Sequence, residues 1–337
     1  MMTPRGPDDS SGRAGQPLLS VILITPGSFE AIRKSIDHVR VQNVRAEIEV
    51  VIVAPSEAEL GLDPVALEGF WGWQIVEVGG IDNLGPAEAV GFRRARGPAV
   101  VYVEEHSYPA PGWAEALTRA HAGPWAAIGP AIRNANPDTM VSWTTFFLDF
   151  GEWVAPGQPG PTMVLPAHQT SYKRDAVLAF GARLDRLMEN EWTLQQELLA
   201  KGHQLYFESA AQTSHLNVSR FADMLNVQFQ NCREFGGNRA ALGNWSWRRR
   251  ALYVGGSPLI PVLRGRRALG QIRRAGLLRR LMLRILPSLI AGLVAAAAGE
   301  TIGYLAGKGD ASRKRITFEL ERMRHTTDQD RRNVEAT

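Results

Sequence analysis

The chain has 337 residues, 45 % of them hydrophobic, with a formal charge of only +4 and one cysteine. That length supplies one large domain or a domain with an appendage. The lone thiol, Cys232, excludes an internal disulfide framework, fits a reducing compartment, and reads first as a buried inert residue. The charge is unevenly spread. Between Glu234 and Glu300 there are twelve Arg and no Asp or Glu, which predicts a face held against something anionic.

Residues 1–16 are polar and lack the apolar core of a signal peptide, so they read as a disordered leader without export. From Leu18 the pattern turns regular. LLSVILIT, Leu18 to Thr25, is an apolar run of strand length closed by Pro26-Gly27-Ser28, and its continuity suits a strand buried on both faces. Phe29, Ile32, Ile36 and Val39 then recur at helical spacing behind Ser28, a fitting N-cap. Further strands are expected at 48–54, 74–78 and 99–103, with a helix over 86–96. Strands alternating with helices predict an α/β fold with a mostly parallel sheet and helices on both faces. Ligands in such sheets sit at the carboxyl ends of the strands, which singles out Pro26–Ser28, Ala54–Glu57 and Glu104–His106.

A strand and turn are expected at 126–134, and the aromatic stretch 139–153 is ambiguous. A polar turn into a helix follows over 168–181. One helix is expected over 188–202 with Gly202 as its stop, and then a strand at 203–208 leading to His215. Beyond Phe221, Arg and Trp mix with Leu, Ile and Ala. The uncharged run from Ile285 to Gly299 is shorter than the roughly 20 residues of a bilayer span, and continuing to Gly307 brings in Glu300. An interfacial or re-entrant helix, a true span and a soluble core helix all stay open, and Arg beside Trp and Leu favours the first. Nucleic-acid binding by the basic stripe is set aside, because duplex binders rarely expose so much apolar surface. The tail 308–337 is charged. Zinc spacing, a Walker loop, a Gly-x-Gly-x-x-Gly motif and internal repeats are all missing from the sequence.

Five segments in this order resemble the family-2 glycosyltransferases of GT-A fold. SVILITPGSFEAIRKSIDHVRVQ resembles the opening strand and helix. EVVIVAPSE stands at the second strand and its acidic turn. GFRRARGPAVVYVEEHSYPAPGW is similar to the strand ending in the Asp-x-Asp metal motif. LPAHQTSYKRDAV resembles the acceptor-side segment. ENEWTLQQELLAKGHQLYFESAAQTSH resembles the helix with the catalytic carboxylate, then Ala-Gly, a strand and a His. The resemblance runs from Leu18 to His215. More loosely, GSPLIPVLRGRR and AAAGETIGYLAGKG resemble members that work at the bacterial inner membrane.

The resemblance implies a GT-A domain at 17–220, a membrane-associating helical region at 221–307 and the tail beyond. It implies an inverting transferase that moves a sugar from a nucleotide-diphosphate donor to a glycan or lipid-linked acceptor, on the cytoplasmic face of an anionic membrane. Counting back from Trp113 places Glu104 and His106 on the first and third Asp-x-Asp positions. With His215 they are the implied ligands of a divalent metal, Mn²⁺ or Mg²⁺, while a metal-free site with His106 as a hydrogen-bond donor stays open. Glu105 reads as solvated or structural. Pro26 and Ser56 fall on the donor side. The register from Gly202 implies Glu191 as the base, with Glu189 as fallback; the alternative is that both are ordinary exposed carboxylates near a helix N-terminus. His168, Gln169, Ser171, Tyr172 and Lys173 lie where the acceptor or diphosphate would be approached.

The chain also departs from the family pattern. Ala54-Pro55 replaces the paired Asp, and GPAEAVGF, with Glu88 and Ala89, replaces the usual Arg-Asn. A non-catalytic sugar-nucleotide or glycan-binding scaffold is therefore the second reading. A nucleotidyltransferase would need a Gly-rich phosphate loop, for which Thr25-Pro26-Gly27 is a poor match.

Overall fold

In the computed structural model, residues 15–335 are described, so the expected leader lies outside the described residues except for 15 and 16. In chain order the elements begin β1 (Leu19–Ile24), α1 (Phe29–Arg40), β2 (Ile48–Ala54), α2 (Glu57–Leu60), β3 (Gly72–Glu77), α3 (Leu84–Arg94), β4 (Ala99–Tyr102), β5 (Ser107–Pro109) and α4 (Trp113–His121). They continue with β6 (Ala127–Asn134), α5 (Met140–Asp149), β7 (Gly160–Thr162), β8 (Ser171–Lys173), α6 (Arg174–Leu178), α7 (Leu184–Met188), α8 (Glu191–Ala200) and β9 (Leu205–His215). The rest is helical: α9 (Phe221–Leu242), α10 (Trp247–Gly255), α11 (Leu259–Arg274), α12 (Leu278–Ala306), α13 (Ala311–Leu320) and α14 (Asp328–Glu335). The chain divides into two units, Met1–Arg133 with Ala155–Ser214, and Asn134–Val154 with His215–Thr337.

The first unit carries the sheet, in the order β3-β2-β1-β4-β8-β6-β9-β5 with β7 on β9. β3, β2, β1 and β4 run parallel, and β8 is antiparallel to β4 and β6. The apolar runs of β1 and β2 are buried on both faces, as their continuity predicts. Leu19, Val21 and Leu23 share a core with Phe29, Ile32, Ile36 and Val39 of α1. Ile22, pointing the other way, meets α3 at Gly91, where an added Cβ would lie 2.8 Å from its Cγ2. Helices thus cover both faces. One carboxylate sits inside the sheet: buried Glu49 accepts from Ser20 Oγ (2.5 Å), Gln74 Nε2 (2.9 Å) and the Arg96 amide (2.7 Å), which satisfies a group that burial would otherwise penalise.

Three expected elements differ. Within the polar turn expected ahead of the helix over 168–181, Ser171–Lys173 forms β8. The helix expected over 188–202 begins later, as α8, because Asn190 leaves helical geometry at φ −149° and caps α8 through a hydrogen bond from the Thr193 amide. The last strand runs on through AAQTSH to His215. The ambiguous 139–153 stretch holds α5, capped by Thr139.

In the second unit, α9 and α12 pack along each other at glycines. A Cβ on Gly299 would stand 2.1 Å from the Phe229 carbonyl oxygen, and one on Gly303 2.4 Å from that of Arg233. The Glu300 carboxylate, buried beside this contact, accepts from Arg264 Nη2 (2.9 Å) and Tyr304 Oη (2.5 Å). Cys232 is buried against Arg264, and burial raises its thiol pKa, as suits an inert residue. By length and composition α12 is apolar enough to cross a membrane, and 44 % of its apolar 18-residue window is buried within the fold.

Candidate active site

A buried polar cluster in the first unit lies at the carboxyl end of β4. The chain leaves β4 through Val103, Glu104, Glu105 and His106, all buried. One face of α1 holds this segment. Ser35 Oγ reaches the carbonyls of Glu104 (3.1 Å) and Glu105 (2.9 Å), His38 Nδ1 donates to the Pro109 carbonyl (3.2 Å), and Gln42 Nε2 donates to that of Ala110 (3.0 Å). Positions 35 and 38 share a helix face, and Gln42 follows just past the end of α1, so the helix and its exit together anchor the segment. Glu104 Oε1 lies 3.6 Å from His106 Nε2. Glu104 Oε2 accepts from Ser107 Oγ (3.0 Å) and from Gln169 Nε2. Glu105 Oε2 stands 3.0 Å from His106 Nδ1, a structural contact that orients the ring.

A second cluster is built by α3, the turn before β8, and α8. Glu191, the first residue of α8, is only 5 % exposed, which overturns the picture of an ordinary exposed carboxylate. Its Oε1 accepts from the His168 amide (2.5 Å) and its Oε2 from Tyr172 Oη (2.7 Å). His168 adopts φ 58°, a left-handed conformation uncommon outside glycine. This conformation accompanies an Nδ1 placed 3.1 Å from Glu88 Oε1 and 3.3 Å from Glu191 Oε1. Gly85 permits the approach of α3, since a Cβ there would lie 2.5 Å from the Glu189 amide nitrogen. Burial pushes the Glu191 and Glu88 carboxyl groups above their ordinary values, although the His168 imidazole pulls both back. Burial also raises the Tyr172 phenol, with the Glu191 carboxylate adding to the shift. For His168 burial acts downward, but the charge of Glu88, then its hydrogen bond and Glu191, outweigh it, so the imidazole is held protonated.

The other expected residues are placed elsewhere. Because β8 runs antiparallel to β4, Ser171 pairs with Val101 and Lys173 with Ala99, at the start of β4. Lys173 Nζ donates to the Gly123 carbonyl (2.6 Å), and Ser171 Oγ meets Ile128 O and His121 Nε2. The structure therefore gathers His168, Gln169 and Tyr172 with Glu104 and Glu191, but not Ser171 or Lys173. A cleft of about 780 Å³ opens at that opposite end, lined by Leu18, Pro98, His121, Lys173 and His203 among others, and none of the clustered carboxylates lines it. Pro26 is exposed in the turn after β1, and Ser56 precedes α2 without a side-chain cap bond. Fallback Glu189 accepts from Asn83 Nδ2 (2.7 Å). His215 belongs to the second unit, where its Nδ1 lies 3.0 Å from Asn217 Oδ1 and its ring packs on Phe150.

Glu88 went unassigned in the sequence as a site residue. The available signal was a single charged residue within GPAEAVGF, an otherwise uncharged stretch of α3 that packs on the sheet.

The fold is GT-A-like. No protein-family model and no curated protein sequence matches the chain. Among solved structures it is similar to a mannosyltransferase of Pyrobaculum calidifontis in complex with GDP-Man and Mn²⁺, at 15 % identity and a TM-score of 0.51, over 85 % of this chain and 88 % of that one. Two others score lower. GalNAc-T7 with UDP, GalNAc and Mn²⁺ matches at 13 % identity and a TM-score of 0.46, over 60 % of this chain and 44 % of that one. S. aureus TarS 1-349 matches at 14 % and 0.45, over 86 % and 91 %.

Proposed function

We propose that this chain is an inverting glycosyltransferase that moves a sugar from a nucleotide-diphosphate donor onto a glycan or lipid-linked acceptor at the cytoplasmic face of an anionic membrane. The observation that carries this reading is the convergence of Glu104, His106, Gln169, Tyr172 and Glu191 within a GT-A-like sheet. The mannosyltransferase of similar fold, solved with GDP-Man and Mn²⁺, supports a donor of that chemical class.

Glu104 and His106 fit a divalent cation. A carboxylate oxygen and an imidazole nitrogen 3.6 Å apart, each steadied by a neighbour, are the donor pair and outer support such an ion uses. A bound ion would supply positive charge for the departing diphosphate. The protein's own groups do the rest. Glu191 takes the acceptor hydroxyl's proton as the new glycosidic bond forms. Tyr172 and the His168 amide hold that carboxylate in place, and Gln169 orients Glu104.

Titrating the protein in detergent with UDP, GDP and dTDP, with and without Mn²⁺, tests this reading by calorimetry. Saturable binding, enhanced by metal and lost in His106→Ala, is the expected result. No binding to any nucleotide across the panel would leave the scaffold reading in its place. That alternative has one specific observation behind it: β2 ends in Ala54-Pro55, so the acidic pair that would read the base is missing there.

The membrane part rests on α10 to α12. Trp247 is 73 % exposed, Leu252 72 % and Leu283 87 %, and Arg266, Arg267, Arg273, Arg274, Arg279, Arg280 and Arg284 are exposed on the same helices. Apolar side chains beside cations suit insertion among anionic headgroups. Replacing Arg279, Arg280 and Arg284 together by Gln is expected to weaken sedimentation with phosphatidylserine-containing vesicles ~100-fold, at about 1 kcal/mol per Arg. Unchanged sedimentation would move the contact to another surface.

A further inference from the structure

Glu88, His168 and Glu191 bring two buried carboxylates and one imidazole together. His168 Nδ1 lies 3.1 Å from Glu88 Oε1 and 3.3 Å from Glu191 Oε1, so one ring nitrogen and two carboxylate oxygens converge on a single point.

The spacing of these three donor atoms suits a metal ion. With bonds of about 2.0–2.2 Å, donors around a tetrahedral ion stand roughly 3.3 Å apart, and the His168–Glu88 and His168–Glu191 separations are close to that spacing. The three donor atoms lie within 4.8 Å of one another and come from α3, the turn before β8, and α8, so the set is assembled by the tertiary fold. Outer support is in place. Tyr172 Oη donates to Glu191 Oε2, and Gln195 Nε2 reaches the Tyr172 oxygen (3.4 Å), the kind of second layer that orients ligating carboxylates.

We propose that Glu88, His168 and Glu191 bind a divalent transition-metal ion of the Zn²⁺ or Mn²⁺ class, at a site distinct from the Glu104–His106 pair. One imidazole and two carboxylates suit that class better than Ca²⁺, which takes six to eight oxygen ligands. The ion would take the place of the proton on His168 Nδ1, since a ligating imidazole is neutral, and would tie α3 to α8. The inference stands on this cluster's geometry and does not rest on the transferase reading.

The test uses the full chain, stripped with chelator and free of nucleotide, titrated with Zn²⁺ alone and Mn²⁺ alone. Saturable uptake by the wild type is expected. It should fall at least tenfold in Glu88→Gln and about 10–100-fold in Tyr172→Phe, and it should persist in His106→Ala. Far-UV circular dichroism checks that each variant is folded. If Glu88→Gln is not, Tyr172→Phe, which removes one hydroxyl, decides. Absence of uptake by the wild type overturns the proposal. So does uptake lost in His106→Ala but untouched in both Glu88→Gln and Tyr172→Phe. Uptake with no nucleotide binding would leave this site standing and remove the transferase reading.

Discussion

Glu191→Gln is expected to lower sugar transfer by about 10²–10⁴-fold, the usual contribution of a positioned general base. Glutamine keeps the volume of the side chain. Its carbonyl oxygen can still accept from the His168 amide, and its nitrogen can face Tyr172 Oη, so the turn before β8 keeps its anchor. What is lost is the ability to accept the acceptor's proton. The loss should therefore fall equally on kcat and kcat/KM, with nucleotide affinity preserved. Steady-state rates with the donor identified by calorimetry make the measurement. Glu189→Gln serves as the control, because that carboxylate is engaged by Asn83. A Glu191→Gln rate within about tenfold of wild type, well short of that contribution, would take the base role away from Glu191. It would leave the residue as the anchor of His168.

Gly299→Leu is expected to cause the largest loss of stability in the second unit. The obstacle is backbone: the new Cβ would sit 2.1 Å from the Phe229 carbonyl oxygen, which cannot turn aside as a flexible side chain would. Helices α9 and α12 must separate, and that strains the Gly303–Arg233 contact and the Glu300 pairing with Arg264 and Tyr304. Overpacking of this kind costs about 3 kcal/mol, equivalent to a fall of roughly 10 °C in Tm for a unit of this size. Thermal unfolding followed by circular dichroism reads it. Gly270→Ala in α11 is the matched control, since a Cβ there meets nothing within 4 Å and helix propensity improves. Equal Tm values for the two variants would show that α9 and α12 are not held by close backbone contact.

The sequence by itself determined the sheet half of this protein. Apolar runs such as LSVILI and IEVVIVA suit central parallel strands, and Ser28 marks a helix start by a side-chain hydrogen bond that such a helix uses. Local order also placed Glu104 and His106 at the end of β4, because a strand end is a property of the segment itself. Tertiary structure alone decided what those residues meet. Because β8 runs antiparallel to β4, the turn before it leaves Gln169 beside Glu104 at the carboxyl end of β4 while the strand carries Lys173 to the other end; a string of adjacent polar residues cannot reveal that split. Glu88 and Glu191 stand far apart in the chain and become neighbours only because Gly85 lets α3 approach the Glu189 backbone. The same holds for Glu300, which reads as a break in an apolar run and is instead a buried, fully paired group. Its partners, Arg264 and Tyr304, are brought to it by the packing of α11 and by the turn of α12. Propensity and patterning are local, whereas the charge balance of a buried cluster is a sum over every element that surrounds it.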